Sequence, residues 1–387
     1  MAVFAAVLIG CWLAAIALTP VTIRFAHRYG LLDYPTERKA HKKAVPVIGG
    51  FAVFLSMVTG LALVAPFFPV IRELAWGYGS LGVLALGAVL MNALGLWDDL
   101  YDMYWHHKLV GQLAIGALTW FLGFQAGPVE LPFGFELTDA APISFLITVA
   151  WIVVISNAFN LIDGMDGLSA GVALITVLTV FLLANQYGAT VSVVATLALA
   201  GALAGFLRFN LPPARLFLGD AGALSIGYLV AVLSLASYQK APTAVALIVP
   251  LVVVGLPVLD IVVAVIRRGL SHLSAQGAKG LSVRELISAV TRADRGHLHH
   301  LLLRNGFSVS ASLVILYLVC IALASVGFQT RGVDSEFRFA LFGGLIASGY
   351  ACVRVLERRA LRLEADAARA AEAASPELAQ ARNRAAG

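Results

Sequence analysis

The sequence predicts an all-α protein embedded in a membrane, with about eleven transmembrane helices, and three observations lead to this fold class. Hydrophobic residues make up 60% of the 387 residues and charged residues only 13%, whereas soluble domains carry about 25% charged residues. Apolar stretches of roughly 20 residues recur along the chain, each long enough to cross about 30 Å of hydrocarbon. The Lys and Arg residues are concentrated in every second connection between these stretches.

The apolar stretches define the predicted spans, with boundaries expected to hold within about three residues. The spans cover residues 2–20, 45–66, 80–97, 109–127, 143–160, 168–186, 190–208, 221–239, 243–266, 307–327 and 338–354.

The orientation follows from the positive charges. An odd number of spans places the two termini on opposite sides of the membrane. With the N-terminus outside, the inside connections and helix ends hold 23 Lys and Arg residues, and the outside ones hold 4. Because cytoplasmic loops carry an excess of Lys and Arg, we expect a periplasmic or outer N-terminus and a cytoplasmic C-terminus. The chain is then a multi-pass protein of the inner (plasma) membrane.

Two regions are expected along the chain. Residues 1–354 form one transmembrane domain. Its first apolar stretch lacks the basic region and the cleavage site of a signal peptide, so it is interpreted as a retained helix. Residues 355–387 are rich in Ala, Arg and Glu and predict a polar cytoplasmic tail. This tail is either solvated or in weak contact with anionic lipid headgroups.

Acidic residues gather at or near the cytoplasmic ends of the predicted spans. A carboxylate at such depth is costly and is usually paired, hydrated or bound to a cation, and Mg²⁺ takes one or two carboxylates plus phosphate oxygens. Basic side chains share this face, so the set predicts phosphoryl transfer. The carboxylates are Asp98, Asp99, Asp102, Asp163, Asp166, Asp220 and Asp260. The basic residues are Lys39, His41, Lys42, Lys43, Arg267, Arg268, Arg292, Arg295, His297, His299 and His300.

Two of these groups have a pattern that favours function over structure. Asp98 and Asp99 end a predicted helix, where negative charge opposes the helix dipole; the alternative is a charged helix end that fixes depth. In the segment 157–166, polar residues recur every three positions and would lie near one face if the segment were helical. These residues are Asn157, Asn160, Asp163 and Asp166.

Other candidates keep a second interpretation. Asp220 begins the eighth span, where aspartate is also a common N-cap. Asp260 either joins the site or pairs, as an internal strut, with Arg267, with Arg268 or with another helix. The histidine run 297–300 resembles a transition-metal site but lacks the further Cys or His ligands of a zinc site. Contact of these imidazoles with phosphate or sugar is therefore favoured.

Six motifs follow one another across residues 20–305. They are Arg38-Lys39-Ala40-His41 with Pro46 and Gly49-Gly50; Asp98-Asp99-x-x-Asp102; Asn157-x-x-Asn160-x-x-Asp163-Gly-x-Asp166-Gly; Phe217-x-Gly-Asp220-x-Gly; Pro257-x-x-Asp260; and Asp294-Arg295-Gly296-His297-Leu298-His299-His300. With these motifs the sequence resembles the polyprenyl-phosphate N-acetylhexosamine-1-phosphate transferases. The form His-x-His-His after Asp-Arg is similar to the branch that starts O-antigen, enterobacterial common antigen and teichoic acid linkage units. The lipid I branch has three consecutive histidines instead.

The resemblance implies transfer of an N-acetylhexosamine-1-phosphate, with GlcNAc-1-phosphate favoured, from a UDP-sugar to undecaprenyl phosphate. The products are an undecaprenyl-diphosphate-sugar, which begins a cell-envelope polysaccharide, and UMP. The resemblance also implies Mg²⁺ as cofactor, with Mn²⁺ as a substitute, and Asp220 and Asp99 as its ligands. The implied catalytic residues are Asp98, Asp99, Asp163, Asp166, His297, His299 and His300. The implied substrate-binding residues are Lys39, His41, Asp102, Asn157, Asn160, Phe217, Arg267 and Arg295.

Two alternatives stay open on the sequence alone. The first is the same reaction with another UDP-acetamido sugar, such as GalNAc, FucNAc or a diamino sugar. The second is an ion-coupled transporter, although transporter sites usually lie near the bilayer midplane. We expect no nucleic-acid partner, and the choice between a monomer and a homodimer stays open.

Overall fold

The structure is a computed structural model. It describes residues 2–35, 43–130, 136–137, 140–238, 297–330 and 333–374, together with a few single positions between 255 and 266. Within these residues the protein is almost entirely helical, as predicted. Two short antiparallel pairs of strands accompany the helices: β1 (Leu32–Asp33) with β2 (Val45–Pro46), and β3 (Val129–Glu130) with β4 (Glu136–Leu137). The helices are α1 (Ala2–Tyr29), α2 (Gly49–Val64), α3 (Pro69–Glu73), α4 (Leu81–Tyr101), α5 (Trp105–Phe121), α6 (Ala141–Ile162), α7 (Leu168–Gln186), α8 (Thr190–Asn210), α9 (Gly219–Tyr238), α10 (Leu298–Arg304), α11 (Val309–Gln329) and α12 (Ser335–Ala374).

The predicted fold class is confirmed. In the described part of the chain, eight helices are long and apolar enough to cross a membrane: α1, α4, α6, α7, α8, α9, α11 and α12. Two further predicted spans coincide with the shorter helices α2, of 16 residues, and α5, of 17 residues. The predicted span 243–266 falls largely outside the described residues. The total of eleven spans and the orientation stay predictions.

Helix α9 is the centre of the packed helices. It contacts α2, α4, α6 and α7. Of its apolar stretch, 83% is buried inside the protein, against 6% for the apolar stretch of α12. Polar pairs tie its neighbours to it: the Trp151 Nε1–H donates to Ser234 Oγ at 3.1 Å, and the hydroxyls of Thr119 and Tyr228 lie 3.0 Å apart. Such interhelical hydrogen bonds stabilise helix association in a membrane. They hold α5 and α6 against α9.

The start of α9 is also attached to the start of α2. The backbone N–H groups of Gly49 and Gly50 donate to the carbonyls of Phe217 and Leu218 at 2.9 and 3.0 Å. A Cβ added to Gly50 would overlap the backbone of Gly222, so the crossing requires a residue without a side chain. Helix α2 therefore holds the first turn of α9 in place.

The chain divides into two compact units. The first consists of Met1–Val258 and Leu313–Phe342, and the second of Leu259–Ser312 and Gly343–Gly387. The first unit contains α1 to α9. The predicted boundary between a transmembrane domain and a tail at residue 354 stays a prediction.

The second unit has a small core of its own. Val263, Leu301 and Val353 are buried together there. Arg304 forms a two-pronged salt bridge with Glu364, at 2.9 and 3.1 Å. Helix α12 continues without interruption through the predicted end of the last span and ends at Ala374.

Candidate active site

The last turn of α4 carries the first two carboxylates of the site. Asp98 Oδ1 accepts a hydrogen bond from the backbone N–H of Met103 at 2.9 Å. This bond closes the turn after α4, where Asp102 has a left-handed backbone with φ of 49°. Asp98 Oδ2 faces the other way and accepts from Lys108 Nζ at 2.7 Å. Asp98 therefore both ends the helix and binds a cation.

Asp99 binds the N-terminus of α9. Its carboxylate accepts the backbone N–H groups of Asp220 and Ala221 at 3.0 and 3.1 Å, which have no partner inside their own helix. The positive end of a helix favours such an anion. Gly219 permits this approach: its φ is 72°, and a Cβ there would lie 2.9 Å from Asp99 Oδ2. Asp99 thus supplies the carboxylate that caps α9. The Asp220 side chain, which the alternative interpretation made the N-cap, does not have this role.

Lys108, in the first turn of α5, lies at the centre of the site. Its Nζ is 2.6 Å from Asp220 Oδ2, 2.7 Å from Asp98 Oδ2 and 3.1 Å from Asn160 Oδ1. Asp220 Oδ1 accepts in turn from Asn160 Nδ2 at 2.8 Å. The lysine side chain is only 13% exposed. One buried ammonium thus joins α4, α5, α6 and α9.

Asn157, one turn before Asn160, has different partners. Its Nδ2 donates to Gln112 Oε1 and to the carbonyl of Val153, both at 2.7 Å. Gln112 Nε2 donates back to Asn157 Oδ1 at 3.4 Å. Gln112 lies one turn after Lys108 on α5, so this amide pair joins α5 to α6 next to the ammonium. Asn157 supports the site and does not contact its carboxylates.

The expected ladder of four polar residues on one helical face is only half formed. Helix α6 ends at Ile162, because the glycine-rich segment that follows turns the chain into α7. Asp163 is the C-cap, and Asp166 lies in the turn, where its Oδ2 accepts the backbone N–H of Ala214 at 2.9 Å. The turn is therefore fastened to the segment between α8 and α9, and it brings both aspartates back toward the site.

Asp163 is the aspartate of this site whose negative charge is least compensated by donors or cations. Within the described residues, no donor is placed to hydrogen-bond to its side chain. Burial raises the pKa of Asp163 well above its ordinary value, and the negative charges of Asp220, Asp99 and Asp166 raise it further. The residue retains partial contact with solvent. A proton or a bound cation would relieve this repulsion.

These five aspartates form one group, the carboxylate cluster: Asp98, Asp99, Asp163, Asp166 and Asp220. Of the cations that the structure describes, the Lys108 ammonium is the one that contacts these carboxylates, so the described part of the site has an excess of negative charge. Among the described residues, no three acidic, His or Cys side chains form a complete metal cage. A cation of the Mg²⁺ type needs no such cage, because it binds through one or two carboxylates together with phosphate oxygens and water. The uncompensated Asp163 carboxyl beside Asp220 fits a cation of this type.

Two other predicted residues lie at the edges of the site. Phe217 is half-buried; its backbone N–H donates to the Pro46 carbonyl at 2.8 Å and its carbonyl accepts from Gly49. The Phe217 backbone thus fixes the segment that leads into α9. Asp102 is exposed after α4, and the structure does not bring it into the carboxylate cluster.

Comparison with known proteins identifies the family. Residues 81–238 match glycosyl transferase family 4. The chain is 32% identical over 307 residues to a probable undecaprenyl-phosphate N-acetylglucosaminyl 1-phosphate transferase of Bacillus subtilis, with 79% of each chain covered. The chain belongs to glycosyl transferase family 4. The matched residues run from α4 to α9 and contain every member of the carboxylate cluster.

Two further relatives of this family 4 glycosyl transferase cover similar lengths. It is 31% identical over 385 residues to a decaprenyl-phosphate N-acetylglucosaminephosphotransferase of Mycobacterium tuberculosis, with 90% of each chain covered. It is 25% identical over 312 residues to an undecaprenyl-phosphate alpha-N-acetylglucosaminyl 1-phosphate transferase of Escherichia coli, with 79% of this chain and 77% of that one covered.

The remaining predicted site residues of the family 4 glycosyl transferase are not part of the carboxylate cluster as described. Lys39, His41, Arg267 and Arg295, and also Asp260, fall outside the described residues. The histidines belong to the second unit, at the start of α10. There, His297 and His299 have ring centroids 6.3 Å apart, and His299 and His300 have theirs 4.1 Å apart. Within that unit the three imidazoles form one group.

Lys108 and Gln112 were not predicted as site residues from the sequence, where Lys108 is only one of the 23 positive charges that set the orientation. A usable signal was present, because Lys108 is the single Lys or Arg residue in the short connection between two spans, ten residues after Asp98. Gln112 lies four residues further on, so both side chains share one face of a helix. A lysine and an amide on one face of an apolar helix, level with carboxylates, indicate a buried ionic network.

Proposed function

We propose that this family 4 glycosyl transferase moves GlcNAc-1-phosphate from UDP-GlcNAc to undecaprenyl phosphate. A phosphate oxygen of the lipid attacks the β-phosphorus of the UDP-sugar and forms a new P–O bond. The bond from that phosphorus to the bridging oxygen breaks, and UMP leaves with the electron pair. One diphosphate replaces another, so the reaction is nearly balanced. The names of the relatives support GlcNAc over the other acetamido sugars.

The observation that carries the proposal is the network of Lys108, Asp98 and Asp220. Its three charged groups lie in the first or last turn of α5, α4 and α9, where we expect the membrane to meet water. A soluble UDP-sugar and the phosphate of a lipid would meet at this level. An ion-coupled transporter would place its charges nearer the middle of the helices, so this alternative is not favoured. The excess of Lys and Arg on this side supports a cytoplasmic site in the plasma membrane.

The main role of the protein's own residues is to position charges around the two substrates. The lipid phosphate is already a nucleophile at neutral pH, so it needs neutralisation and in-line placement rather than activation by a base. Lys108 supplies a positive charge that is held in position by Asp98 and Asn160. Asp99 fixes the first turn of α9 and thereby the backbone of Asp220.

Asp220 and Asp163 would hold Mg²⁺, with Mn²⁺ as a substitute. Asp99, the second ligand that the family resemblance implies, accepts two backbone N–H groups of α9 instead. When bound, this cation supplies neutralisation of the diphosphate and stabilisation of the departing UMP. Asp166 and Asn160 would line the nucleotide-sugar pocket. The family resemblance adds Phe217 beside the uracil, and Arg295 with the three histidines on phosphate or sugar.

The test of the activity is UMP release by the purified protein in nanodiscs, with UDP-GlcNAc, undecaprenyl phosphate and MgCl₂. We expect UMP and a lipid-linked sugar in equal amounts, no UMP without the lipid, and loss of turnover with EDTA. UDP-GalNAc and the other acetamido sugars should be poorer donors. UMP release that does not depend on the lipid would show a hydrolase and contradict the proposal.

The test of the site is Asp220→Asn, which keeps size and removes charge. We expect turnover to fall by at least about 10²-fold, with no recovery at high Mg²⁺, and the stabilisation of the fold by Mg²⁺ to be lost in thermal unfolding. Asp366→Asn, which changes an exposed carboxylate on α12, serves as the control. Turnover of Asp220→Asn within tenfold of the parent protein would remove Asp220 from the site.

A further inference from the structure

Helix α11 contacts the turn between α6 and α7, residues 163–167, which we call the aspartate turn. The Tyr317 hydroxyl donates to the carbonyl of Gly167 at 2.6 Å, and Gly167 is the N-cap of α7. Both residues belong to the first unit of the chain. Tyr317 lies outside the six sequence motifs and outside the residues 81–238 that match the family. A side chain that no motif indicates is therefore bonded to the backbone of the active site.

The tyrosine ring lies against the first turn of α7. A Cβ added to Gly171 would overlap the ring of Tyr317, so the hydroxyl reaches its acceptor because residue 171 has no side chain. The backbone N–H of Gly171 donates to the same Gly167 carbonyl at 3.0 Å. Leu313, one turn before Tyr317 on α11, is buried, and its Cδ2 would be 3.5 Å from a Cβ added to Gly167. Close packing thus fixes the direction from which the hydroxyl approaches the turn.

The aspartate turn needs support from other parts of the protein. Its Asp163 carboxyl is close enough to Asp99, Asp166 and Asp220 for their negative charges to act on it, and like charges repel one another. Two of the five residues in the turn are glycines, whose backbone is conformationally permissive. Repulsion therefore moves the turn away from the carboxylate cluster unless other groups hold it.

Hydrogen bonds from two sides hold the turn. On one side, Asp166 Oδ2 accepts the backbone N–H of Ala214 at 2.9 Å, and the backbone N–H of Gly167 donates to Asn210 Oδ1 at 3.1 Å. Both partners belong to the end of α8 or the segment that follows it. On the other side, Tyr317 binds the Gly167 carbonyl from α11. Loss of the Tyr317 hydroxyl would remove the bond from α11 and leave the bonds to the α8 side.

We propose that Tyr317 is a positioning residue of the transferase, whose hydroxyl holds the aspartate turn where Asp163 and Asp166 face Asp220. The inference rests on the proposed function and deepens it, because it assigns a residue outside the motifs to the placement of the cation and the UDP-sugar. Without the hydroxyl, fewer molecules have the turn in the binding position, and the apparent affinity falls by that fraction. A saturating ligand restores the position, so the maximal rate is largely kept.

The kinetic test is Tyr317→Phe, which removes the hydroxyl and keeps the ring. We expect the Mg²⁺ concentration for half-maximal UMP release and the KM for UDP-GlcNAc each to rise about fivefold, the factor that the net contribution of one hydrogen bond gives. The kcat at saturating Mg²⁺ and UDP-GlcNAc, and the KM for undecaprenyl phosphate, should stay nearly unchanged. A merely structural role would lower the amount of folded protein and leave the Mg²⁺ requirement as it was.

Two further variants separate positioning from stability. Tyr228→Phe removes another tyrosine hydroxyl that contacts a neighbouring helix, 3.0 Å from the Thr119 hydroxyl, and it is the matched control. It should lower the thermal stability without changing the Mg²⁺ requirement. Gly171→Ala keeps the Tyr317 hydroxyl but displaces it, so it should raise the Mg²⁺ requirement. Combined with Tyr317→Phe it should raise the requirement little further, because both changes remove the same bond.

The test without turnover uses hydrogen–deuterium exchange and thermal unfolding of the purified protein in nanodiscs. In the absence of Mg²⁺ and substrates, Tyr317→Phe should speed exchange in peptides that cover 163–171 about fivefold, since local opening becomes easier by one hydrogen bond. Tyr228→Phe should not change exchange in these peptides. The Mg²⁺ concentration for half-maximal thermal stabilisation should rise in Tyr317→Phe by the same factor as in the kinetic test.

The inference requires both the faster exchange and the higher Mg²⁺ requirement, so the absence of either one overturns it. Equal changes in Tyr228→Phe would also overturn it, because the effect would then be a general loss of stability. If the parent protein releases no UMP at all, the proposed function fails. The exchange and the thermal stabilisation by Mg²⁺ still decide in that case whether Tyr317 positions the aspartate turn.

Discussion

Asp99 and Asp220 lie on different helices, and the carboxylate of Asp99 accepts the backbone N–H of Asp220 at 3.0 Å. Two aspartates are thereby held close together although their side chains repel each other. The attraction between Asp99 and the positive end of α9 offsets part of this repulsion, and the Lys108 ammonium, 2.6 Å from Asp220 Oδ2, offsets another part. Some residues of the site therefore position others, while other residues are available to bind substrates. Substitutions can distinguish these two roles.

Replacement of Asp99 should affect both stability and turnover. Asp99→Ala removes both acceptors at the start of α9 and should lower the free energy of unfolding by about 0.5–2 kcal/mol, the range for a lost helix cap. Asp99→Asn keeps one acceptor oxygen, so its stability should lie between that of the parent protein and that of Asp99→Ala. Its turnover should fall at least about 10²-fold. Ser80→Ala, which removes the N-cap of α4, is the control, with lower stability and normal turnover. A fall in Asp99→Asn turnover no larger than in this control would limit Asp99 to capping.

Removal of the Lys108 charge should be more damaging than removal of any surface charge. Lys108→Met leaves Asp98 and Asp220 without their counter-ion, and we expect a loss of about 1–3 kcal/mol of stability, since Asp220 is partly exposed. Turnover should fall at least about 10²-fold. Thermal unfolding and UMP release measure the two effects, with Arg72→Met, at an exposed position of α3, as the control. Lys108→Met with normal turnover would show that the ammonium serves only the fold.

The raised pKa of Asp163 predicts a pH-dependent stability in the absence of divalent cations. An unfolded aspartate has a pKa of about 3.9, whereas the pKa of folded Asp163 lies well above its ordinary value. Between these two values the folded state binds more protons, so stability should fall as the pH rises through that interval. Asp163→Asn should flatten this dependence, and Mg²⁺ should reduce it in the parent protein. Thermal unfolding from pH 4 upward tests it; an unchanged slope in Asp163→Asn would assign the effect to another group.

The two asparagines of α6 should separate by their effects. Asn157→Ala breaks the amide pair with Gln112 and should cost about 1 kcal/mol of stability, with turnover per folded molecule nearly unchanged. Asn160→Ala removes a hydrogen-bond partner of both Lys108 and Asp220 and should lower turnover at least about tenfold. A double-mutant cycle with Gln112→Ala measures the pair directly. An equal loss of turnover in Asn157→Ala and Asn160→Ala would place Asn157 on the substrate after all.

The sequence predicted the helical class well, because apolar stretches in a membrane have few alternative structures. It also predicted that Asp98, Asp99, Asp163, Asp166 and Asp220 lie near one another, since all five follow or begin predicted spans at the same level. The partners of each carboxylate were not predictable, because they depend on how helices rotate against one another. Asp99 therefore caps a distant helix, and Asp102, three residues on, stays outside the cluster. Lys108 was overlooked because a single lysine carries no motif.

Helix α12 is longer than one crossing of the hydrocarbon requires. A helix of its 40 residues extends about 60 Å, twice the hydrocarbon thickness of about 30 Å. From Arg354 onward charged residues are frequent, so we expect the 21 residues from there to Ala374 to form a stalk of about 30 Å outside the bilayer. Arg304 braces this stalk through Glu364. A fluorophore or affinity handle attached beyond Ala374 would therefore be carried clear of the lipid surface, where detergent or nanodisc lipids do not shield it.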